Sequence, residues 1–421
     1  YLPKWDGTAL VQSTSVFEDA NGNVGIGTTA PEEKLDISGT IKTDGFTMPT
    51  DASLNHILKS DASDNASWQS LIDTAYLPDL DLVLSGSLSI GTIARSGAVQ
   101  GNYAYVVDEG TDDLKVIDVS DPSNPVLSSS FTIGTSPISV AVQGNYTYVV
   151  DKVSNDLKVI NISDPTNPVL SDSGYSGDTP ISIAIQGNYA YVVDMSADRL
   201  MVFDVSDPTD IFWSGSLTIG ASPFSVAVQG NFAYVVDQSS DDLKVIDVSD
   251  SANPVLSGSL SIGNLPTSVA VQGGYVYVVD SDSDDLKIID VSDPFNPILS
   301  GSFSIGSYPN SVVVQGGNVY VVDQLTNDLR VIDISDPAIP VLNDNLNLSA
   351  GTSAGAFPVS ISVQGNYAYV VDRSQDDLKV IKLSEISKIG VNINGELEAY
   401  IDADSDPTNE LQDWSNLPGI P

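Results

Sequence analysis

Residues 100–108 read QGNYAYVVD, and near-copies of this stretch begin at Gln143, Gln186, Gln229, Gln272, Gln315 and Gln364. Successive copies start 43 residues apart, except for the last interval, which is 49. A period of about 40–45 residues holding four strand-like runs is the spacing of propeller blades. In the second copy the runs are ISVAVQ (residues 138–143), YTYVVD (146–151), LKVINI (157–162) and PVLSDS (168–173). Gly-Asn, a short polar loop and the turn SDPTNP separate them, each a turn-forming composition. The runs YAYVV and LKVIDV are apolar on both faces, unlike strands with one wet face. A blade sandwiched between two others has that environment. Helical periodicity is absent. The chain is therefore predicted to be all-β, with a seven-bladed β-propeller over residues 82–385.

The seventh copy ends differently. After LKVIKL the chain reads SEISKIG, where the other copies go on to a PVLSGS-like strand. A matching stretch, LVLSGSLSI, lies ahead of the first copy at residues 82–90. It is predicted to pair with residues 378–383 and close the ring, burying about five apolar side chains.

Because the copies align with one another, the sequence carries its own comparison. Tyr105, Tyr148, Tyr191, Tyr234, Tyr277, Tyr320 and Tyr369 form one column without exception. Asp108, Asp151, Asp194, Asp237, Asp280, Asp323 and Asp372 form another. A third holds Lys115, Lys158, Lys244, Lys287, Arg330 and Lys379, with Met201 as its exception. A residue needed once for chemistry would not recur in every blade, so these columns read as packing, turn capping and local ion pairs. Variation gathers instead in the loops between second and third strands, at Glu109, Lys152, Met195 and Gln324. It also gathers in the loops leading into each first strand, at Phe224, Tyr308 and Phe357, and in six extra residues near Ala350 to Ala356. Both sets of loops share one face, so if the propeller binds a glycan or protein, the ligand is expected there.

The text DDLKVIDVSDPSNPVL at residues 112–127 returns with small changes at 241–256 and 284–299. It resembles the LVIVD-repeat family of β-propellers. The WD dipeptide of WD40 blades is missing from the blade ends. The resemblance implies a bacterial or archaeal surface or secreted propeller, usually without assigned activity. Residues 21–41 and 45–69 are similar to modules of phage tail fibres and of large Bacteroidetes-type surface proteins. That likeness implies extracellular display, on a cell surface or a virion fibre, and self-association, as in a trimeric stalk. A small β cap or linker is the alternative for residues 1–80.

Acidic residues number 56 against 16 Lys+Arg, for a formal charge of −40. Nucleic acid and anionic membranes bind through basic residues on phosphates, so both are excluded as partners. Cations and basic surfaces are favoured instead. No apolar run is long enough to span a bilayer, and cysteine is absent. The chain opens at Tyr1 and is read as a mature form or an excised segment. The single histidine, His56, falls outside the repeats, which leaves Ser-His-Asp hydrolysis and multi-histidine metal sites without their residues in the ring. In the tail, Asp402, Asp404 and Asp406 alternate, followed by Asn409 and Glu410, which is the oxygen-ligand spacing of a calcium loop. Pro407 stands where such a loop needs glycine and Asp413 where glutamate is expected, so an acidic linker is the alternative. DSDSDD at residues 280–285 is a second calcium candidate.

Three regions follow: a β-rich stalk-like module (1–80), the propeller (82–385) and an acidic tail (386–421). The expected function is a non-catalytic extracellular structural protein, a fibre or filament subunit that forms homo-oligomers through both flanks. The alternative is an adhesin or tail-fibre-like module that binds a glycan or protein through one propeller face. A calcium-stabilised enzyme is a distant third.

Overall fold

The computed structural model describes residues 82–349 and 355–383, and outside them only the backbone of short strands. The chain divides into two units, Tyr1–Leu77 and Pro78–Pro421. In the first unit Pro3–Trp5 pairs antiparallel with Leu10–Gln12, and His56–Ser60 with Ala66–Ser70. Val24–Ile26 joins Val16–Glu18 antiparallel and Leu35–Ile37 in parallel. The second unit consists of seven four-stranded antiparallel blades, followed by a short strand pair, Gly390–Val391 with Leu397–Glu398. No helix is present among the described residues, so none is long and apolar enough to cross a membrane.

In the second blade the strands are Pro137–Gln143, Tyr146–Asp151, Asp156–Asn161 and Val169–Tyr175. The outer strand runs two residues beyond the PVLSDS stretch because Tyr175 still pairs with Asp156. Seven hydrophobic clusters occupy the seven junctions between facing blades. This is why the middle strands are apolar on both faces. The outer strands depart from that expectation: Val126 and Leu127, like their counterparts, stay about half exposed on the perimeter.

The ring closes as expected. Val83–Ser89 forms the outer strand of the last blade, antiparallel to Asp377–Lys382. The apolar gain is smaller than predicted. Leu82 and Ile90 are buried and Leu88 packs against the cluster of the closing junction, but Val83 and Leu84 are 50% and 46% exposed. Both precede a bulge at the outer edge, where no neighbouring blade covers them.

The repeated columns have structural duties. The Asp108 carboxylate accepts backbone N–H bonds from Thr92 (2.9 Å), Ile93 (3.1 Å), Gly110 (2.8 Å) and Thr111 (3.2 Å), so it holds two loops together. A side chain at Gly91 would put its Cβ 1.3 Å from that carboxylate. Each cation pairs with an aspartate, as Lys115 Nζ does with Asp113 at 2.7 Å. Where Met201 replaces the cation, Arg199 two residues earlier binds Asp194 instead, at 3.1 Å. Each glutamine of QGN spans a junction: Gln100 Nε2 donates to the Gly144 carbonyl at 2.7 Å and Gln100 Oε1 accepts from the Gly144 N–H at 2.9 Å. Gln364 makes the same contact to Gly101 at 2.8 Å and completes the circle.

One coupling was not legible as a column. Most outer strands are preceded by proline, which has no N–H to satisfy. Ile211 and Leu82 stand there in two blades, and each finds an acceptor on the preceding blade. Ile211 N–H donates to Asp172 at 2.7 Å and Leu82 N–H to Asp344 at 3.1 Å.

Candidate functional site at the mouth of the central channel

The inner strand of every blade carries a bulge near its start. In the second blade Pro137 pairs with Asp151 and Ser139 with Val150, so Ile138 is skipped. The skipped residues of the other blades are Arg95, Ile181, Phe224, Thr267, Asn310 and Val359. Bulges re-aim side chains and recur beside functional sites. Here all seven bulged residues line one cavity of about 400 Å³ on the ring axis, within the usual size range of ligand pockets. Glu109, Lys152, Met195, Gln324 and Arg373, each following the invariant aspartate of its blade, complete the wall. Below them the serines one place after the bulge tie inner strands together, as Ser360 does by accepting from Gly97 N–H at 3.2 Å.

The wall is divided by chemistry. A charged sector holds Arg95, Glu109, Lys152 and Arg373; an apolar one holds Ile138, Ile181, Met195 and Phe224. A neutral polar sector of Thr267, Asn310 and Gln324 follows, and the first two of these side chains are already engaged. Thr267 Oγ1 donates to the Pro309 carbonyl at 2.8 Å and Asn310 Nδ2 to the Val359 carbonyl at 2.9 Å. Arg95 pairs with Glu109, which also accepts from Ser136 Oγ at 2.8 Å. Burial pushes the Glu109 carboxyl up, but its bonds from Ser136 and Arg95 outweigh that and hold it below the usual range. Burial, followed by the nearby Arg95 charge, lowers the pKa of Arg373.

Of the residues singled out from sequence, Phe224, Glu109, Lys152 and Gln324 line this cavity, and Tyr308 and Phe357 do not. Those two precede the proline of their loop, whereas the bulged column follows it. Their backbones serve as staples: Tyr308 and Phe357 carbonyls accept from Gln324 and Arg373 N–H, both at 3.0 Å. Tyr308 is half exposed and sits in the left-handed region at φ 64°. The missed column was visible as the one changing residue between an almost constant proline and a constant serine, for example I in SPISV and F in SPFSV.

Asp402, Asp404, Asp406, Asn409 and Glu410 lie outside the described residues, as do residues 350–354 of the insertion. At the second calcium candidate, Asp280 is fully buried and accepts from the N–H groups of Asp282 (3.1 Å) and Ser283 (3.0 Å). Among the described residues no three acidic, histidine or cysteine side chains gather as a metal site.

The family model of the LVIVD repeat matches seven times, at residues 91–133, 136–174, 176–218, 222–261, 266–304, 306–347 and 359–392. This chain belongs to the LVIVD-repeat family. Comparison with curated proteins returns no match. Among solved structures, a functionally unknown protein from Desulfotomaculum acetoxidans superposes with a TM-score of 0.57 at 14% identity, over 72% of this chain and 96% of its own. Virginiamycin B lyase from Staphylococcus aureus gives 0.57 at 11%, over 72% and 100%. A putative 6-phosphogluconolactonase from Bacteroides uniformis gives 0.54 at 16%, over 59% and 82%. At these identities the similarity shows the propeller fold alone.

The LVIVD repeats also depart from their common text at one junction, between the second and third blades. Gly174 stands where the other outer strands carry leucine or phenylalanine, such as Leu217 and Phe131. Ile211 and Phe203 lean toward the vacated space, and a lateral groove of about 400 Å³ remains, flanked by Tyr175 and Trp213. A Cβ at 174 would meet only the Ile211 side chain, at an ordinary 3.6 Å from Cδ1 and 3.8 Å from Cγ1. Gly174→Leu is therefore expected to raise stability by about 1 kcal/mol, through lost chain freedom in the unfolded state and added apolar burial. Gly215→Leu, whose Cβ would lie 2.5 Å from the Ala252 carbonyl, should lower it. Thermal melting of the two variants decides; a destabilised Gly174→Leu chain contradicts this account.

Proposed function

We propose that this chain is a non-catalytic binding protein whose ligand sits in the mouth of the propeller channel. The observation that carries this is the contrast between columns. Residues that hold blades together repeat almost unchanged, while the bulged and post-aspartate columns differ from blade to blade and meet in one cavity. A perfectly repeated ring offers any ligand seven equivalent poses; varied side chains on the axis select one.

The absence of histidine from residues 82–383 supports a non-catalytic role. A variant of the lyase with one histidine changed to alanine is described as catalytically inactive. In this reading the flanking segments, residues 1–80 and 386–421, display and join propellers outside the cell, with calcium at Asp402, Asp404 and Asp406. Support for that part comes from the likeness of residues 21–41 and 45–69 to fibre modules.

The test is an array of glycans, peptides and small organic acids probed with the full chain. Ligands found should be lost on Lys152→Glu and on Phe224→Ala. They should survive Ser123→Lys and Thr166→Lys in the turns at the other end of the blades. The opposite pattern removes the mouth as the binding site.

A further inference from the structure

We propose that the ligand of the channel mouth is a small amphipathic anion, with one carboxylate held by the charged sector and an apolar body on the adjoining wall. This rests on the mouth being the binding site. The first observation concerns how cations are used. In a chain with 56 acidic residues, eight of the eleven described cations have an acidic partner. Among the described residues Lys152, Arg373 and Lys382 have no ion pair, and the first two stand in this cavity. No hydrogen bond reaches the Arg373 guanidinium from the described residues either. Beside it the Arg95 charge is shared with one carboxylate, Glu109. The cavity wall thus holds three cations and one anion, in a molecule whose net charge is −40. The partly buried Arg373 guanidinium has Glu109 and Asp376 in its surroundings but, among the described residues, no carboxylate within pairing distance, and a ligand carboxylate matches its planar fork.

The second observation is the apolar sector. Ile138, Ile181, Met195 and Phe224 adjoin the cations around the wall. An inorganic anion would leave that surface in water, whereas an aromatic or aliphatic body removes it. The third observation argues against a neutral sugar. Its several hydroxyls need free donors and acceptors, but Thr267 and Asn310 already donate to backbone carbonyls of the following blade at 2.8 and 2.9 Å, which leaves Gln324 as the neutral side chain of that sector able to serve them. The overall negative charge opposes an approaching anion at long range, so recognition depends on direct pairing inside the mouth.

The experiment is calorimetric titration of the full chain with phenylacetate, phenylacetamide and acetate. Phenylacetate is expected to bind at least about tenfold more tightly than the amide or acetate, the effect of one charge-assisted contact or one apolar body. Arg373→Gln should weaken phenylacetate about tenfold and leave the amide unchanged, with Arg373→Lys recovering part of the loss. Phe224→Ala should weaken both acid and amide. Equal binding of acid and amide, lost in Phe224→Ala but indifferent to Arg373→Gln, overturns the anion and keeps the mouth as the site. Binding indifferent to both substitutions overturns the site itself. Failure of phenylacetate to bind, with an unchanged melting temperature, overturns the ligand class.

Discussion

Removing residues 82–90 is expected to lower the melting temperature by about 10–20 °C and to make the chain prone to aggregation. The strand Val83–Ser89 supplies the fourth strand of the last blade, and its loss exposes the edge of Asp377–Lys382. Three apolar side chains, Leu82, Leu88 and Ile90, leave the junctions on either side. At about 1.5–3 kcal/mol each this is roughly 5–9 kcal/mol, before the entropy released by the freed segment is counted. The contacts are also distant in sequence, since Leu82 N–H binds Asp344 and Ile90 N–H binds the Asp376 carbonyl at 2.7 Å. Asp344→Ala is the graded control. It removes one charge-assisted acceptor and should cost about 1.5–3 kcal/mol. Scanning calorimetry on both variants checks the pair, and a deletion that melts like the parent chain refutes ring closure as a source of stability.

The second large effect is alkaline. Burial pushes the phenols of Tyr105 and Tyr277 up to about 12, and it raises the other five of the tyrosine column in the same direction. The unfolded chain ionises its tyrosines near pH 10, so between about pH 10 and 12 the folded state holds more protons. Stability is then fully present below pH 10 and falls as pH rises through that window. Seven blades contribute at once, one phenol of this column at each junction. The melting temperature should hold steady to about pH 9 and then drop steeply, with tyrosinate absorbance rising together with unfolding. Tyr105→Phe combined with Tyr277→Phe should make the drop shallower. A melting temperature flat across the window contradicts the burial of these phenols.

Much of the site was already present as text, but only partly readable. Glu109, Lys152, Gln324 and Phe224 stood out because they vary where their neighbours do not. Tyr308 and Phe357 stood out for the same reason and belong elsewhere, since one place along a loop separates a backbone staple from a wall residue. Arg373 drew no attention because nothing in its local sequence shows that it lacks an acidic partner. Ile138 was read as an ordinary strand residue, since a bulge leaves no mark on composition. The pairing of Ile211 with Asp172 and of Leu82 with Asp344 links positions 39 and 262 residues apart, beyond any local pattern.

The sequence by itself determined the blade number, the all-β class, the structural role of the invariant columns and the strand that closes the ring. It could do so because each blade is a local unit whose pattern is written seven times, and a missing strand in a periodic text is conspicuous. Only the tertiary structure decided which varied residues share one cavity, which cations lack partners, and how little of the closing strand is buried. Those properties depend on the bulge in each inner strand and on the approach of blades to a common axis. They are distances across the ring, and a linear repeat carries no record of them.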